Sequence, residues 1–308
     1  MNTLSVATRG GSLSIAQTEI IISALKKNCP DIQVKIKKIT TSGDRDRRIA
    51  LWDLRTSGFF TTQVEDALLT GKADFAVHSF KDLPTQQREG LTITAICQRQ
   101  FAEDCLIATD GVTSIEQLPK SAKIGTSSLR RAAQIKHLRK DLVPVPIRGN
   151  VLTRIRHLED GKFDAIVVAR AGVERLGLGE KISICFNPRQ FIPAPAQGAL
   201  AVQTKTDDVA VSNLIAAIDD KKARTITLAE RKILVTMKCG CHAPVGAFAE
   251  IIADTIEICA FISDLEGEKF IRRSIKGPAE EAEKLAEKTA YELLNAGGKE
   301  ILKKLERR

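Results

Sequence analysis

The stretch that decides the fold runs from Ala73 to Pro84 and reads Ala-Asp-Phe-Ala-Val-His-Ser-Phe-Lys-Asp-Leu-Pro. Its apolar residues predict a buried strand, and the loop that follows carries Lys81 and Asp82 before Pro84 stops it. In open α/β sheets, groups that leave the carboxyl end of a strand line the ligand crevice. The adjacent ammonium and carboxylate are therefore candidates to hold and discharge an ionic substrate. Taken alone, the same pair is more typical of a solvated turn before a proline, and the functional interpretation depends on the rest of the chain.

A weak internal repeat links this stretch to a second one. Residues 71–75 (Gly-Lys-Ala-Asp-Phe) resemble residues 161–165 (Gly-Lys-Phe-Asp-Ala), and each run precedes an apolar strand. Alternating strand and helix patterns around both runs predict two α/β lobes of related topology. From about residue 221 the pattern changes to a helix, three alternating strands and two helices, which predicts a smaller α+β domain.

A chain of 308 residues is long enough for two or three domains. We predict three, with Pro193 and Pro195 marking the crossing back between the lobes. The first lobe is discontinuous. The predicted bounds are residues 1–98 plus 199–217 for lobe 1, residues 103–193 for lobe 2, and residues 221–308 for the third domain.

Composition limits the partners. The net charge of +9 predicts anionic ligands, but aromatic residues make up only 4% of the chain, too few for the stacking platforms of single-stranded nucleic acid. We predict no nucleic-acid partner. No apolar run approaches the ~20 residues of a membrane span, and the N-terminus lacks the pattern of a signal peptide. Seven scattered cysteines fit a reducing compartment, so we expect a cytoplasmic protein without a membrane partner.

Arginines recur where predicted strands turn into helices. Residues 125–131 (Gly-Thr-Ser-Ser-Leu-Arg-Arg) and 148–154 (Arg-Gly-Asn-Val-Leu-Thr-Arg) both have this form, and Arg9 and Arg175 follow two other strands. Backbone amides and the helix dipole favour anions there, and a guanidinium matches a carboxylate bidentately. One such arginine is usually a surface residue. Their recurrence predicts that several acidic groups are held at once.

A cysteine-rich turn lies at residues 238–246 (Lys-Cys-Gly-Cys-His-Ala-Pro-Val-Gly). Half a zinc site is one interpretation, but no second Cys/His pair stands at ligand spacing, and we predict no metal. Cys239 has the pattern of a buried structural cysteine. Cys241 could be a nucleophile or a point of covalent attachment, and the turn alone does not decide between these alternatives.

With these motifs together, the chain resembles the hydroxymethylbilane synthase (porphobilinogen deaminase) family of tetrapyrrole biosynthesis. The matching motifs cover almost the whole length in the family's order. They are Val6–Arg9, Val77–Pro84, Gly125–Arg131, Arg148–Arg154, Pro195–Ala199, Ala229–Arg231 and Gly240–Gly246.

The resemblance implies an α/β fold with two periplasmic-binding-protein-like lobes facing one cleft and a third, smaller α+β domain. It implies a transferase that condenses four porphobilinogen molecules head to tail into linear hydroxymethylbilane and releases four ammonia molecules. It also implies a dipyrromethane cofactor joined by a thioether to Cys241, because Pro244-Val245-Gly246 fixes the register of that turn. We expect a monomer with porphobilinogen as its small-molecule substrate.

The resemblance assigns roles residue by residue. Asp82 is the expected catalytic carboxylate, which handles the leaving amine and stabilises the azafulvene cation. The expected cofactor-binding residues are Lys81, Asp82, Ser128, Arg130, Arg131 and Arg154. The expected substrate-binding residues are Arg9, Ser12, Phe60, Arg148, Arg175 and Gln197.

The chain departs from the family at two places. Gly11 stands where the family often has serine, with Ser12 beside it, and Ser57 replaces a lysine in the Arg-rich segment 42–58, which we expect to be a mobile loop. The competing hypothesis is a non-enzymatic, two-lobed protein that binds organic anions. Such a protein needs the arginines but has no use for Asp82 beside Lys81 or for Cys241.

Overall fold

The structure is a computed structural model that describes residues 3–41, 61–109, 111–240 and 243–306. These residues divide into two units. The first comprises residues 3–41, 61–100 and 198–224, and the second comprises residues 101–109, 111–197, 225–240 and 243–306. The second unit thus combines the ranges predicted as lobe 2 and the third domain, so the three predicted domain bounds stay a prediction.

Thirteen strands are described, in chain order β1 to β13. They are Thr3–Arg9, Gln33–Ile39, Phe75–Ser79, Leu91–Ile96, Asp104–Ala108, Lys123–Gly125, Val143–Val145, Ala165–Ala169, Ile184–Cys185, Leu200–Lys205, Val245–Ile252, Thr255–Ser263 and Phe270–Pro278. The α-helices are Ser12–Asn28, Thr62–Leu69, Leu129–Leu138, Val151–Glu159, Arg170–Glu174, Val209–Ala216, Lys221–Thr236, Ala282–Leu293 and Lys299–Glu306.

The two lobe sheets share one topology. The first has the order β2-β1-β3-β10-β4 and the second the order β7-β6-β8-β5-β9. In each sheet the first three strands are parallel, and the fourth strand is antiparallel to its neighbours on both sides. This fourth strand is β10 in the first sheet and β5 in the second. The third sheet is antiparallel, in the order β11-β12-β13. The predicted α/β class with two related lobes and a smaller third domain is confirmed.

Strand β3 is buried on both faces, as a run of apolar residues in a central strand requires. Phe75 and Val77 pack with Ile21 of the first helix, whereas Ala76 packs with Leu68 of the Thr62–Leu69 helix. Because helices cover both faces, Phe75, Ala76 and Val77 are all apolar and do not alternate with polar residues. This double cover also fixes the point at which the chain leaves the sheet after Ser79.

Sequence patterns placed most elements within a few residues, but one predicted strand is too long and several elements were not predicted. The apolar residues of 142–147 predict a strand there, but the strand is limited to Val143–Val145, an edge strand in which Pro144 stands opposite Ile124 and which Pro146 follows. Strands β9 and β10 and the Arg170–Glu174 and Val209–Ala216 helices were not predicted.

The third sheet is covered by the Ala282–Leu293 helix. The apolar residues of this helix, including Leu285, Ala286 and Leu293, are buried in the same core as the sheet. Among the residues that the structure describes, no helix is long and apolar enough to cross a membrane.

Candidate active site

A short 3₁₀ turn presents the Lys81-Asp82 pair. The turn covers Phe80–Asp82, and Phe80 and Leu83 on either side of the pair are buried in the core. The Phe80 amide donates to Ala199 O at 3.1 Å, and the Leu83 amide donates to Phe80 O at 3.3 Å. These anchors leave Lys81 half-buried and Asp82 exposed at the end of β3.

Asp82 lines a small, open cavity of about 30 Å³ in the first unit, together with Arg9, Gln17, Ser79 and His78. Gln17 reaches this cavity from the first helix and donates from Nε2 to Ser79 Oγ at 2.8 Å. The cavity therefore combines a carboxylate, a guanidinium and neutral hydrogen-bonding groups, which suits a substrate with both ionic and polar parts.

His78 is the buried titratable group of this cavity. Burial lowers the pKa of His78 from 6.5 to about 4, although its contact with Gln203 opposes the shift. Gln203 in turn donates from Nε2 to Glu65 Oε1 at 3.1 Å. His78 is therefore neutral at physiological pH and adds no charge beside Asp82.

In the second unit, Arg130 and Arg131 converge on Asp104. The Arg131 guanidinium donates to Asp104 Oδ1 from Nε at 3.0 Å and from Nη2 at 2.7 Å, and Arg130 Nη2 lies 2.8 Å from Oδ2. Asp104 is fully buried, and the two arginines are 5% and 7% exposed. Burial alone would raise the pKa of Asp104, but both guanidinium charges and hydrogen bonds from Arg131 and Gln197 outweigh it and hold the pKa well below its usual range.

Two further arginines bring more positive charge to this cluster. Burial and the positive charges of Arg131 and Arg148 lower the pKa of Arg154 from 12.5 to about 10. Arg154 Nε donates to Gly149 O at 2.9 Å. Nε and Nη2 of Arg148 are buried and have no hydrogen-bond partner among the described residues. Such unpaired donors are costly in a protein interior, so the cluster is built for anionic groups.

The turns that carry these arginines are locally specified. Asn150 caps the Val151–Glu159 helix by accepting from Thr153 N at 2.9 Å. Ser128 caps the Leu129–Leu138 helix by accepting from Arg131 N at 3.4 Å. Gly149 has φ +97°, and a Cβ there would lie 2.6 Å from Thr153 Cγ2. Only glycine fits this close turn.

Comparison with known proteins decides the family. Residues 4–213 match the family model for the porphobilinogen deaminase dipyromethane cofactor binding domain, and residues 223–295 match the model for the porphobilinogen deaminase C-terminal domain. The chain belongs to the porphobilinogen deaminase family. The sequence-based resemblance is thereby confirmed, and so is the dipyrromethane cofactor that it implied.

Individual members are similar over nearly the whole chain. Porphobilinogen deaminase of Natranaerobius thermophilus is 39% identical over 98% of this chain and 98% of its own length. That of Maridesulfovibrio salexigens is 39% identical over 98% of both chains. Among solved structures, the methionine binding protein MetQ covers 72% of this chain and 92% of its own at a TM-score of 0.46 and 10% identity.

The structure brings the predicted family residues together in two groups, one in each unit. Arg9 and Asp82 share the cavity of the first unit, whereas Arg130, Arg131, Arg148 and Arg154 cluster in the second. Ser12 is the exposed first residue of its helix, and Arg175 is the half-buried C-cap of the Arg170–Glu174 helix. Phe60, Cys241 and segment 42–58 lie outside the described residues.

Gln197 differs from what a substrate-binding residue would show. It is fully buried, and its Nε2 donates to Ala102 O at 2.9 Å and to Asp104 Oδ1 at 2.8 Å. This side chain therefore supports the arginine cluster, and its predicted contact with substrate stays a prediction.

Sequence reasoning missed Asp104, and it gave no role to Glu230, although Glu230 lies in the Ala229–Arg231 motif. Asp104 opens the apolar strand β5, and Glu230 lies in the buried face of the Lys221–Thr236 helix. Asp104 could have been found from its place at the start of a buried strand. A buried carboxylate is retained only when it is paired, so its position indicates a cationic partner. The partners themselves come from distant parts of the chain. Among the described residues, no group of His, Cys, Asp and Glu side chains is arranged to hold a metal.

Proposed function

We propose that this chain is a hydroxymethylbilane synthase that joins four porphobilinogen molecules into a linear tetrapyrrole, with Asp82 as its catalytic carboxylate and Cys241 as its attachment point for the dipyrromethane cofactor. The observation that carries this proposal is the surplus of positive charge that the half-buried Arg148 and Arg154 add beside the buried pair Arg130 and Arg131. Among the described residues, neither Arg148 nor Arg154 forms an ion pair, and two nitrogens of Arg148 lack partners.

The residues present fit a group rich in carboxylates. Each pyrrole unit of porphobilinogen carries an acetate and a propionate, so a dipyrromethane presents four carboxylates and each added unit brings two more. When bound, the dipyrromethane supplies the pyrrole end to which porphobilinogen units are joined. We assign its carboxylates to Lys81, Ser128, Arg130, Arg131 and Arg154.

Substrate carboxylates fall to the remaining basic and polar residues. Arg148 has the unpaired nitrogens, and Arg9 lies in the same cavity as Asp82. The full set that we assign to substrate and growing chain is Arg9, Ser12, Phe60, Arg148 and Arg175, with Gln197 as the prediction carried over from the family.

Asp82 supplies negative charge where positive charge develops. Its carboxylate orients the leaving amine of porphobilinogen and then faces the cation left on the substrate. A carboxylate about 4 Å from a developing cation contributes roughly 4 kcal/mol at an effective dielectric constant near 20. That free energy corresponds to about a thousandfold in rate. We further propose that the enzyme is a cytoplasmic monomer.

Mass spectrometry of the intact, denatured protein tests this function. The wild-type protein should be heavier than its sequence mass by one covalent dipyrromethane, and it should release ammonia from porphobilinogen. Cys241→Ser should have the mass of its sequence and no activity. Cys239→Ser, two residues away, is the matched control and should keep both the added mass and the activity.

A wild-type protein without added mass that binds porphobilinogen but releases no ammonia would instead establish the organic-anion-binding alternative. Loss of the added mass in Cys239→Ser, with retention in Cys241→Ser, would move the attachment point.

A further inference from the structure

Glu230 is a fully buried carboxylate that holds two separate segments of the chain. Its Oε2 accepts from Ala196 N at 2.7 Å, and its Oε1 accepts from Ala249 N in β11 at 2.6 Å. The helix that carries Glu230 and the strand that carries Ala249 belong to the core of the third sheet. A buried carboxylate with two backbone amides is a strong, directional anchor.

The segment that Glu230 holds is under backbone strain. Gln197 N donates to Ala194 O at 2.9 Å and closes a four-residue turn, with Pro195 second and Ala196 third. Ala196 has φ +63°, which is the left-handed conformation that a type II turn requires at this position and that glycine normally supplies. An alanine there needs an external constraint, and the bond from its amide to Glu230 provides one.

The turn sets the direction of the next side chain, Gln197. Gln197 Nε2 donates to Asp104 Oδ1 at 2.8 Å, the same oxygen that accepts from Nε and Nη2 of Arg131. The preceding residues are fixed as well, because Arg130 Nη1 donates to Ile192 O at 2.7 Å. One continuous series of contacts therefore runs from Glu230 through the turn to Asp104 and both arginines.

The third sheet packs against the same segment at a second point. Ala247 N of β11 donates to Pro193 O at 3.1 Å. A Cβ on Gly246 would lie 2.8 Å from Ile192 O and 2.9 Å from Pro193 O, so only glycine allows this approach. Glu230 thus acts on a segment that is already held close to the third sheet.

We propose that Glu230 is a positioning residue for cofactor loading: by holding the Ala194–Gln197 turn it orients Gln197 and, through Asp104, the guanidinium groups of Arg130 and Arg131. The proposal rests on the proposed function, in which these arginines receive cofactor carboxylates. Because Glu230 is fully buried and both of its carboxylate oxygens accept from backbone amides, we assign it an indirect role and no contact with cofactor or substrate. Glu230 therefore links two parts of the proposed site. It contacts the sheet that follows the attachment cysteine in sequence, and it positions the arginines that bind the attached cofactor.

Glu230→Gln is the primary variant. It keeps the size of the side chain but presents an NH₂ group to one of the two backbone amides, so one anchor is lost. Because misplacement of a binding group by about 1 Å can cost 10²-fold, we expect cofactor reconstitution from apoprotein and porphobilinogen to slow by about 10- to 100-fold. We expect the KM for porphobilinogen to rise more than kcat falls.

Two companion variants separate positioning from general destabilisation. Ala196→Gly removes the cost of the positive φ, so it should restore reconstitution in the Glu230→Gln background while leaving the otherwise wild-type protein unchanged. Asp74→Asn is the matched control, since Asp74 accepts from Ser5 N at 2.6 Å in the first unit. It should lower the free energy of unfolding but leave cofactor occupancy complete.

Gln197→Ala removes the contact between the Ala194–Gln197 turn and Asp104. It should lower cofactor occupancy like Glu230→Gln, and the double variant should be no worse than either single one, because both changes break one pathway. If Gln197 instead served only substrate, its loss would raise KM with full occupancy and would add to the effect of Glu230→Gln.

Full occupancy and an unchanged KM in Glu230→Gln, beside a fully loaded wild-type protein, would overturn the proposal. A wild-type protein without added mass would overturn the proposed function instead. In that case the non-additivity of Glu230→Gln and Gln197→Ala in the free energy of unfolding still decides whether the two residues are coupled.

Discussion

Replacing Asp104 by asparagine should be among the most damaging single changes in this protein. Asp104 is fully buried and is the carboxylate on which Arg130 and Arg131 converge at 2.7–3.0 Å. Asparagine has nearly the same shape, so the packing changes little. The substitution instead removes the negative charge and turns one acceptor into a donor that faces a guanidinium.

The magnitude follows from the burial of all three groups. Removing one partner of a buried ion pair leaves an uncompensated buried charge and typically costs about 3–5 kcal/mol. Here two arginines lose their partner, so we expect a loss at the upper end, about 4–5 kcal/mol. The pKa of Asp104 is lowered in the folded protein, so its contribution is complete above the unfolded pKa of about 3.9 and fades as the pH falls below it.

Urea unfolding at pH 7 measures this loss as a shift in the extrapolated free energy of unfolding. Asp66→Asn is the matched control, because Asp66 pairs with Arg88 at 2.6 Å but is 49% exposed. An exposed pair contributes about 0–1 kcal/mol, so this control should stay near the wild-type value. A loss below about 1 kcal/mol in Asp104→Asn would refute the reasoning, since it would mean that the two buried guanidinium groups do not depend on the carboxylate.

Three further predictions concern the catalytic carboxylate, a buried histidine and a glycine turn. Asp82→Asn should bind porphobilinogen with nearly unchanged affinity but turn it over roughly a thousandfold more slowly in single-turnover experiments, whereas Asp82→Glu should retain a small turnover; normal turnover in Asp82→Asn would return the Lys81-Asp82 pair to a solvated turn. His78 has its pKa lowered to about 4, so the unfolded chain binds the proton first and the protein should lose up to about 3 kcal/mol of stability as the pH falls from 6.5 to 4. His78→Gln should flatten that loss in urea titrations, and an unchanged pH dependence would contradict the assignment. Gly149→Ala should cost about 1–3 kcal/mol, more than Gly161→Ala, because both glycines have positive φ but only Gly149 also meets Thr153; equal losses would show that the close contact does not matter.

Local patterns in the sequence were enough for the class of fold and the family. Apolar runs such as Phe75–Val77 and Ile124–Gly125 identified strands, and the change of pattern near residue 221 identified the third domain. Arginines at strand-to-helix turns indicated anion binding because the chemistry of that position is local: the cap, the helix dipole and the guanidinium lie within a few residues. Asn150 and Gly149 confirm this, since their partner Thr153 is close in sequence.

Sequence by itself thus determined the α/β class, the repeated lobe design and the family, and it predicted which charged residues belong to the site. Only the tertiary structure decided which charges are compensated. Arg131 contacts Asp104 although the two lie 27 residues apart in sequence, and Glu230 contacts Ala196 although these two lie 34 residues apart. Such pairs form because the order of strands in the sheet brings distant segments together. The local pattern of apolar and polar residues does not predict them. The same holds for Gln197, because a left-handed alanine and a distant carboxylate, rather than its own sequence neighbours, direct its amide towards Asp104.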